Sequence, residues 1–331
     1  MKKDGVVKIL SVISILVSGV CWGVISLFIK PLSAAGLSAM QVCCIRLLIA
    51  APVFVIATLC VSPSLFRFRL KDIWMFIGTG VVSIFLFNVF YFYTIIQSEA
   101  SVAVVLLYTS PIFVMIFSVL LFKEKIGVKK LVALVLTFVG CLFVSGVIGT
   151  GAKLRPMIAL TGLLSGLFYA LYSIFGKIAL KKYDALTVTT YTFLFAFVFA
   201  IPFSGMGKMV SVLSASPKLL WYGAGIALLS TALPYFLYTW GLKKLEPARA
   251  AILSAVEPIV GSIIGIAVFG EGRSVLKLVG IVLVLGAIII LNVPKRTRVS
   301  IPEPLPVPER SAQTNVPASV REQEPLASCK K

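Results

Sequence analysis

No histidine occurs in this 331-residue sequence, and acidic residues number only 12 against 31 Lys and Arg. Without histidine the chain lacks the commonest general base, metal ligand and near-neutral pH switch. The three aspartates, Asp4, Asp72 and Asp184, lie near the N-terminus or at the borders of apolar runs. A membrane-embedded enzyme is therefore a poor reading, and neither a metal nor a cofactor is expected. No phosphate-binding loop is present either, because Gly149-Thr150-Gly151-Ala152-Lys153 has the wrong spacing. Of the six cysteines, five (Cys21, Cys43, Cys44, Cys60 and Cys141) fall inside apolar runs without metal-ligand spacing, and Cys329 is near the C-terminus. They read as small hydrophobes, with no disulfide framework.

Charge is also scarce. Only 13% of residues are charged, 59% are hydrophobic, and mean hydropathy is +1.05, a composition that soluble domains do not have. The net charge of +19 sits in short clusters between apolar runs, with no basic face or nucleic-acid module, so nucleic acid is not an expected partner. The bilayer is.

A helix needs roughly 20 residues to cross a hydrocarbon core. Ten apolar runs meet that measure, at about 8–29, 38–61, 73–95, 100–122, 128–148, 156–179, 186–204, 219–241, 248–269 and 275–293. We call them spans one to ten. The chain is also a duplication with an offset of 147 residues: Pro111 recurs as Pro258, Phe122 as Phe269, Glu124 as Glu271, Trp74 as Trp221, Gly78 as Gly225 and Tyr91 as Tyr238. Ser18, Gly19, Ser26, Phe28 and Lys30 return as Ser165, Gly166, Ser173, Phe175 and Lys177, which argues against a cleaved leader in span one. Each unit holds five spans. Five is odd, so the second unit is expected upside down relative to the first, as in many secondary transporters. The expected fold is an all-α integral membrane protein with ten transmembrane helices in two inverted five-helix repeats. The expected boundaries are residues 1–148 and 149–294, followed by a disordered cytoplasmic tail, 295–331, rich in Pro, Glu, Ser and Gln. With the N-terminus inside, 19 Lys and Arg fall in cytoplasmic segments and 7 in outer ones, which predicts both termini in the cytoplasm.

Ten spans in two repeats, a mid-helix proline in spans four and nine, closing Glu124 and Glu271, Arg46 in span two and the repeated Ser18 and Ser165 starts together resemble the EamA family of the drug/metabolite transporter superfamily. The resemblance covers residues 8–293. It implies export or uptake of small metabolites such as amino acids without ATP hydrolysis, with export the expected direction, across a bacterial cytoplasmic membrane. Where Arg46 stands in the first repeat the second has Phe193, so any role of Arg46 belongs to one half. A sensor or partner-binding protein acting through the tail is the alternative. Deleting residues 299–331 would abolish the activity of such a protein but not that of a carrier.

Glu257 is the leading site residue. A charge at bilayer depth costs about 2.5–3.5 kcal/mol on insertion scales, and its counterpart in the first repeat is Ser110. It is expected to hold a proton or bind a cationic group, with a carboxyl satisfied by backbone freed at Pro258 as the alternative. Arg46 is expected to grip a carboxylate, with snorkelling or pairing with Glu257 as alternatives. Asn88 is either a site residue or an interhelical hydrogen bond. Trp22 and Tyr169, with Tyr91 and Tyr238, are two repeat pairs suited to lining a cavity, whereas Trp74 and Trp221 fit an interfacial belt. Pro111 and Pro258 are expected hinges. Glu99, Glu124, Glu246 and Glu271 end their spans and are expected to pair with neighbours such as Lys123, Lys125 and Arg273. GxxxG spacing at Gly19/Gly23, Gly162/Gly166 and Gly261/Gly265 predicts close packing within the chain, or a dimer face.

Overall fold

Apolar side chains surround most of the helices rather than lining one stripe, so their outward faces require lipid. The computed structural model describes residues 2–98, 100–148, 155–270 and 274–293. Expectations about Glu99, Glu271, Arg273, the 149–153 segment and the tail lie outside them. Nine helical stretches among the described residues are long and apolar enough to cross a bilayer: Gly5–Ala34, Ala39–Val61, Leu70–Gln97, Val102–Phe122, Pro156–Ala179, Ala185–Phe203, Pro217–Leu242, Pro247–Phe269 and Val275–Asn292. They correspond to nine of the ten expected spans. The remaining one, span five, is the helix Val128–Val144, whose 17 residues stand at the short end of the spanning range. It pairs with span ten, where Gly140 and Gly280 bring the two backbones so close that a Cβ on Gly280 would lie 2.6 Å from the Gly140 carbonyl.

Spans four and nine are broken helices. Ala100–Leu107 gives way to Ser110–Phe122, and Pro247–Ser254 to Val256–Phe269. The breaks fall at Tyr108–Thr109 and at Ala255, matching repeat positions just before Pro111 and Pro258. A proline removes one helical hydrogen bond and crowds the preceding turn, which accounts for both. Each break is covered by a glycine from the other repeat. A Cβ on Gly19 would meet the Ser254 carbonyl at 2.8 Å, and one on Gly166 would meet the Leu106 carbonyl at 2.9 Å. The GxxxG expectation for spans one and six is thus realised as packing within the chain.

Other contacts are reciprocal in the same way. Gly78 faces the Phe175 ring and Gly225 faces the Phe28 ring, positions that exchange under the 147-residue offset. A contact that exchanges its two sides in this manner is what a two-fold relation produces. The third span of each repeat also carries a π-helical stretch, Gly78–Phe85 and Leu228–Ala232. Neither the π segments nor the short helix Met206–Ser214 between spans seven and eight was expected from periodicity.

At the lysine-rich end the pairing differs from expectation. Glu124 is paired with Lys130 at 3.3 Å, not with Lys123 or Lys125, and Lys130 reaches Glu246 at 2.5 Å. Lys182 holds Asp72 at 2.6 Å, and Lys243 holds Asp184 at 2.8 Å. Trp74 and Trp221 are exposed, as a lipid-facing belt requires.

Candidate functional site

The broken helices and span one enclose two adjoining cavities. The first, about 320 Å³, runs from Glu257 past Ser26 and Tyr91 to Lys30, Ser145 and Lys277 at the helix ends. The second, about 360 Å³, is lined by Arg46, Asn88, Phe87, Tyr169 and Tyr235. Trp22, Ile25, Tyr91, Leu107 and Glu257 belong to both. The carboxylate therefore stands where the two cavities meet.

Glu257 occupies the first turn after the span-nine break, where the positive end of the following helix favours a negative charge. Its carboxylate forms no hydrogen bond or ion pair among the described residues. At bilayer depth such a group is stable only as the neutral acid or facing a cation.

Arg46 is held in place by the π segment of span eight. Its Nε donates to Thr231 Oγ1 at 2.8 Å, and Thr231 donates to the Ile226 carbonyl five residues back at 2.8 Å. A π turn leaves carbonyls open to such side-chain donors, one reason π segments recur at functional sites. Arg46 and Glu257 line the same cavity without forming an ion pair, so the pairing alternative is not realised. The terminal guanidinium nitrogens remain available to a planar anion.

Asn88 departs from one expectation. Its Nδ2 donates to the Ile84 carbonyl of its own span at 2.6 Å, so it does not join two helices. It nevertheless lines the second cavity. Trp22 packs edge-on against Tyr235 with ring centroids 5.2 Å apart, and Tyr169 packs on Phe87 at 5.2 Å. Tyr238 is displaced from the expected set, since it lines neither cavity and its hydroxyl pairs with Ser173 Oγ at 2.7 Å. Tyr235 takes the cavity position instead and is the repeat counterpart of Asn88. Sequence reasoning missed Thr231 and Ser26. The repeat offset was the available signal for Ser26, which aligns with Ser173. Among the described residues no group of side chains could hold a metal ion.

Comparison with known proteins places this chain in a family. The EamA-like transporter family matches residues 9–146 and again 156–293. An uncharacterized transporter of Archaeoglobus fulgidus is 31% identical over 60% of this chain and 70% of its own length. The uncharacterized transporter YetK of Bacillus subtilis is 25% identical over 76% of this chain and 78% of its own. The uncharacterized inner membrane transporter YicL of Salmonella typhimurium is 23% identical over 86% and 96%. A crystal structure superposes with a TM-score of 0.71 at 15% identity, covering 85% of this chain and 96% of that one, and so shares the fold.

Proposed function

The chain belongs to the EamA-like transporter family, and from that premise we propose that it is a secondary transporter of small organic metabolites bearing an amine and a carboxylate. The observation that carries this reading is the unpaired Glu257 carboxylate at the junction of two cavities, one of which also presents Arg46. Volumes of about 320 and 360 Å³ lie at the small end of ligand pockets, which suits an amino-acid-sized solute.

A substrate amine and a proton compete for Glu257. The empty carrier keeps the carboxyl neutral; an arriving ammonium group displaces the proton and supplies the cation that a buried carboxylate requires. Arg46, positioned by Thr231, takes the substrate carboxylate. Trp22, Tyr91, Tyr169 and Tyr235 wall off the rest of the solute from lipid and water. Spans four and nine bend at Pro111 and Pro258, so that the two inverted repeats expose the site to each side in turn. The excess of positive charge at the lysine-rich end supports a cytoplasmic orientation of that end.

Counterflow in proteoliposomes with a labelled panel of amino acids, nucleobases and organic acids tests the reading. Saturable exchange of an amino-acid-like compound, abolished by Glu257→Gln, is the expected result. Exchange that survives that substitution would keep the carrier and discard Glu257 as its site.

A further inference from the structure

The two repeats share a sequence pattern but differ in conformation, and the differences are concentrated along one pair of spans. Span six is one unbroken helix, Pro156–Ala179. Its counterpart, span one, breaks after Gly23 and restarts at Ser26. In the second repeat Ser173 Oγ is bonded to Tyr238 OH at 2.7 Å, joining spans six and eight, and both residues are buried. In the first repeat the matching residues are Ser26 and Tyr91. Ser26 Oγ is buried with no hydrogen-bond partner, Tyr91 bonds to nothing among the described residues, and both line the first cavity. A buried hydroxyl without a partner costs about 1–3 kcal/mol and calls for an explanation.

We propose that Ser26 and Tyr91 are a latch caught open, the counterpart of the closed Ser173–Tyr238 latch, and that transport exchanges the two. In the exchanged state span one straightens, Ser26 meets Tyr91 and the first cavity closes at the Lys30 end. Span six breaks near Leu171–Tyr172, Ser173 parts from Tyr238 and the lysine-rich end opens. Lys177 fits this assignment. Its Nζ donates to the carbonyls of Leu242 at 2.8 Å and Leu245 at 2.7 Å, tying down the end of span eight on the closed side. Its counterpart, Lys30, sits 3.6 Å above the Phe269 ring at the end of span nine, on the open side. The reciprocal Gly78–Phe175 and Gly225–Phe28 contacts are made in both halves at once, so they persist through the exchange and serve as its pivot.

The latches are unequal. The closed one is reinforced by Tyr172 OH and Thr239 Oγ1, 2.7 Å apart. The matching residues in the first repeat are Ile25 and Phe92, which cannot form that bond. The state described here is therefore the favoured one at rest.

This inference rests on the carrier reading, but its test needs no substrate. Ser262 lines the first cavity beside Glu257. With the native cysteines replaced, Ser262→Cys reports access from the Lys30 end to a small membrane-impermeant methanethiosulfonate. Tyr238→Phe, which removes the closed bond, is expected to slow labelling measurably, but by less than the roughly three- to tenfold shift in the open–closed equilibrium that losing one buried hydrogen bond brings, because the accessible state starts as the favoured one. Ser26→Ala is expected to leave labelling as fast as in the parent or faster. Restoring the balance in the pair Ser26→Ala/Tyr238→Phe should return the rate towards that of the parent, an outcome that misfolding would not produce. Unchanged labelling in Tyr238→Phe, or slowing in Ser26→Ala, would overturn the latch assignment. If counterflow persisted in the same preparations, the carrier reading would stand without it.

Discussion

At the scale of the residue, the site is defined by what the two repeats do not share. Glu257 faces the cavities where the first repeat has Ser110, Arg46 where the second has Phe193, and Asn88 where the second has Tyr235. An exchange mechanism needs a related scaffold in both halves but only one set of binding groups. Thr231 is the clearest test of this division of labour. It touches Arg46 through Nε and does not itself line either cavity. Thr231→Val should leave the maximal counterflow rate nearly intact while raising the half-saturation concentration several-fold, because a bonded charged donor is worth about 1.5–3 kcal/mol. Arg46→Lys keeps the charge but loses the fork geometry, and should raise half-saturation further, in the same assay. A loss of maximal rate with no change in half-saturation would remove Arg46 from substrate binding. Glu257 was legible in the sequence because a lone carboxylate in an apolar run is expensive. Thr231 was not, because a hydroxyl in a membrane helix usually satisfies itself on its own backbone and carries no such signal.

At the scale of the element, the 147-residue offset made the spans and their proline breaks legible. Lys123, with φ 53°, and Gly270, with φ 65°, are repeat counterparts, and both adopt the left-handed conformation. Glycine adopts it freely, whereas a residue with a Cβ pays for it. Lys123→Gly should therefore stabilise the protein by about 1 kcal/mol, seen as a higher unfolding temperature in detergent; a lower one would mean that the lysine side chain contributes more than the strain costs. The opposite sign is expected where glycine permits close approach. A Cβ on Gly23 would stand 2.7 Å from the Glu257 carbonyl and 2.5 Å from Val260 Cβ, so Gly23→Ala should cost about 1–3 kcal/mol, the usual penalty for overpacking. Gly207→Ala, with open space around it, is the control and should cost nothing comparable. What the sequence could not reveal was the break at residues 24–25 and the π segments. No proline marks the break, and a π turn keeps the hydropathy of an α-helix, so both depend on packing between repeats rather than on local composition.

At the scale of the whole molecule, the lysine-rich end is bridged by charges from both repeats, while the other end has a cavity reaching Glu257. Lys130 of the first repeat divides its charge between Glu124 and Glu246 of the second, and Lys182 of the second holds Asp72 of the first. Ten spans and their connections supplied the positions of these charges, but not their partners. Lysine side chains reach several neighbours, and only the packed helices select among them. Burial holds the Glu124 carboxyl above its ordinary value, against the pull of Lys130. A carboxyl raised in the folded state favours folding most when it is protonated. Its contribution is complete below the unfolded value, near 4.3, and is lost as the pH rises through the higher folded value. Glu124→Gln removes that titration. The unfolding temperature of the variant relative to the parent should therefore rise as the pH is taken from about 4 to neutrality. Were the parent instead to gain on the variant over that range, the Lys130 pair would outweigh burial, and Glu124 would be a net fastener of the closed end rather than a charge tolerated there.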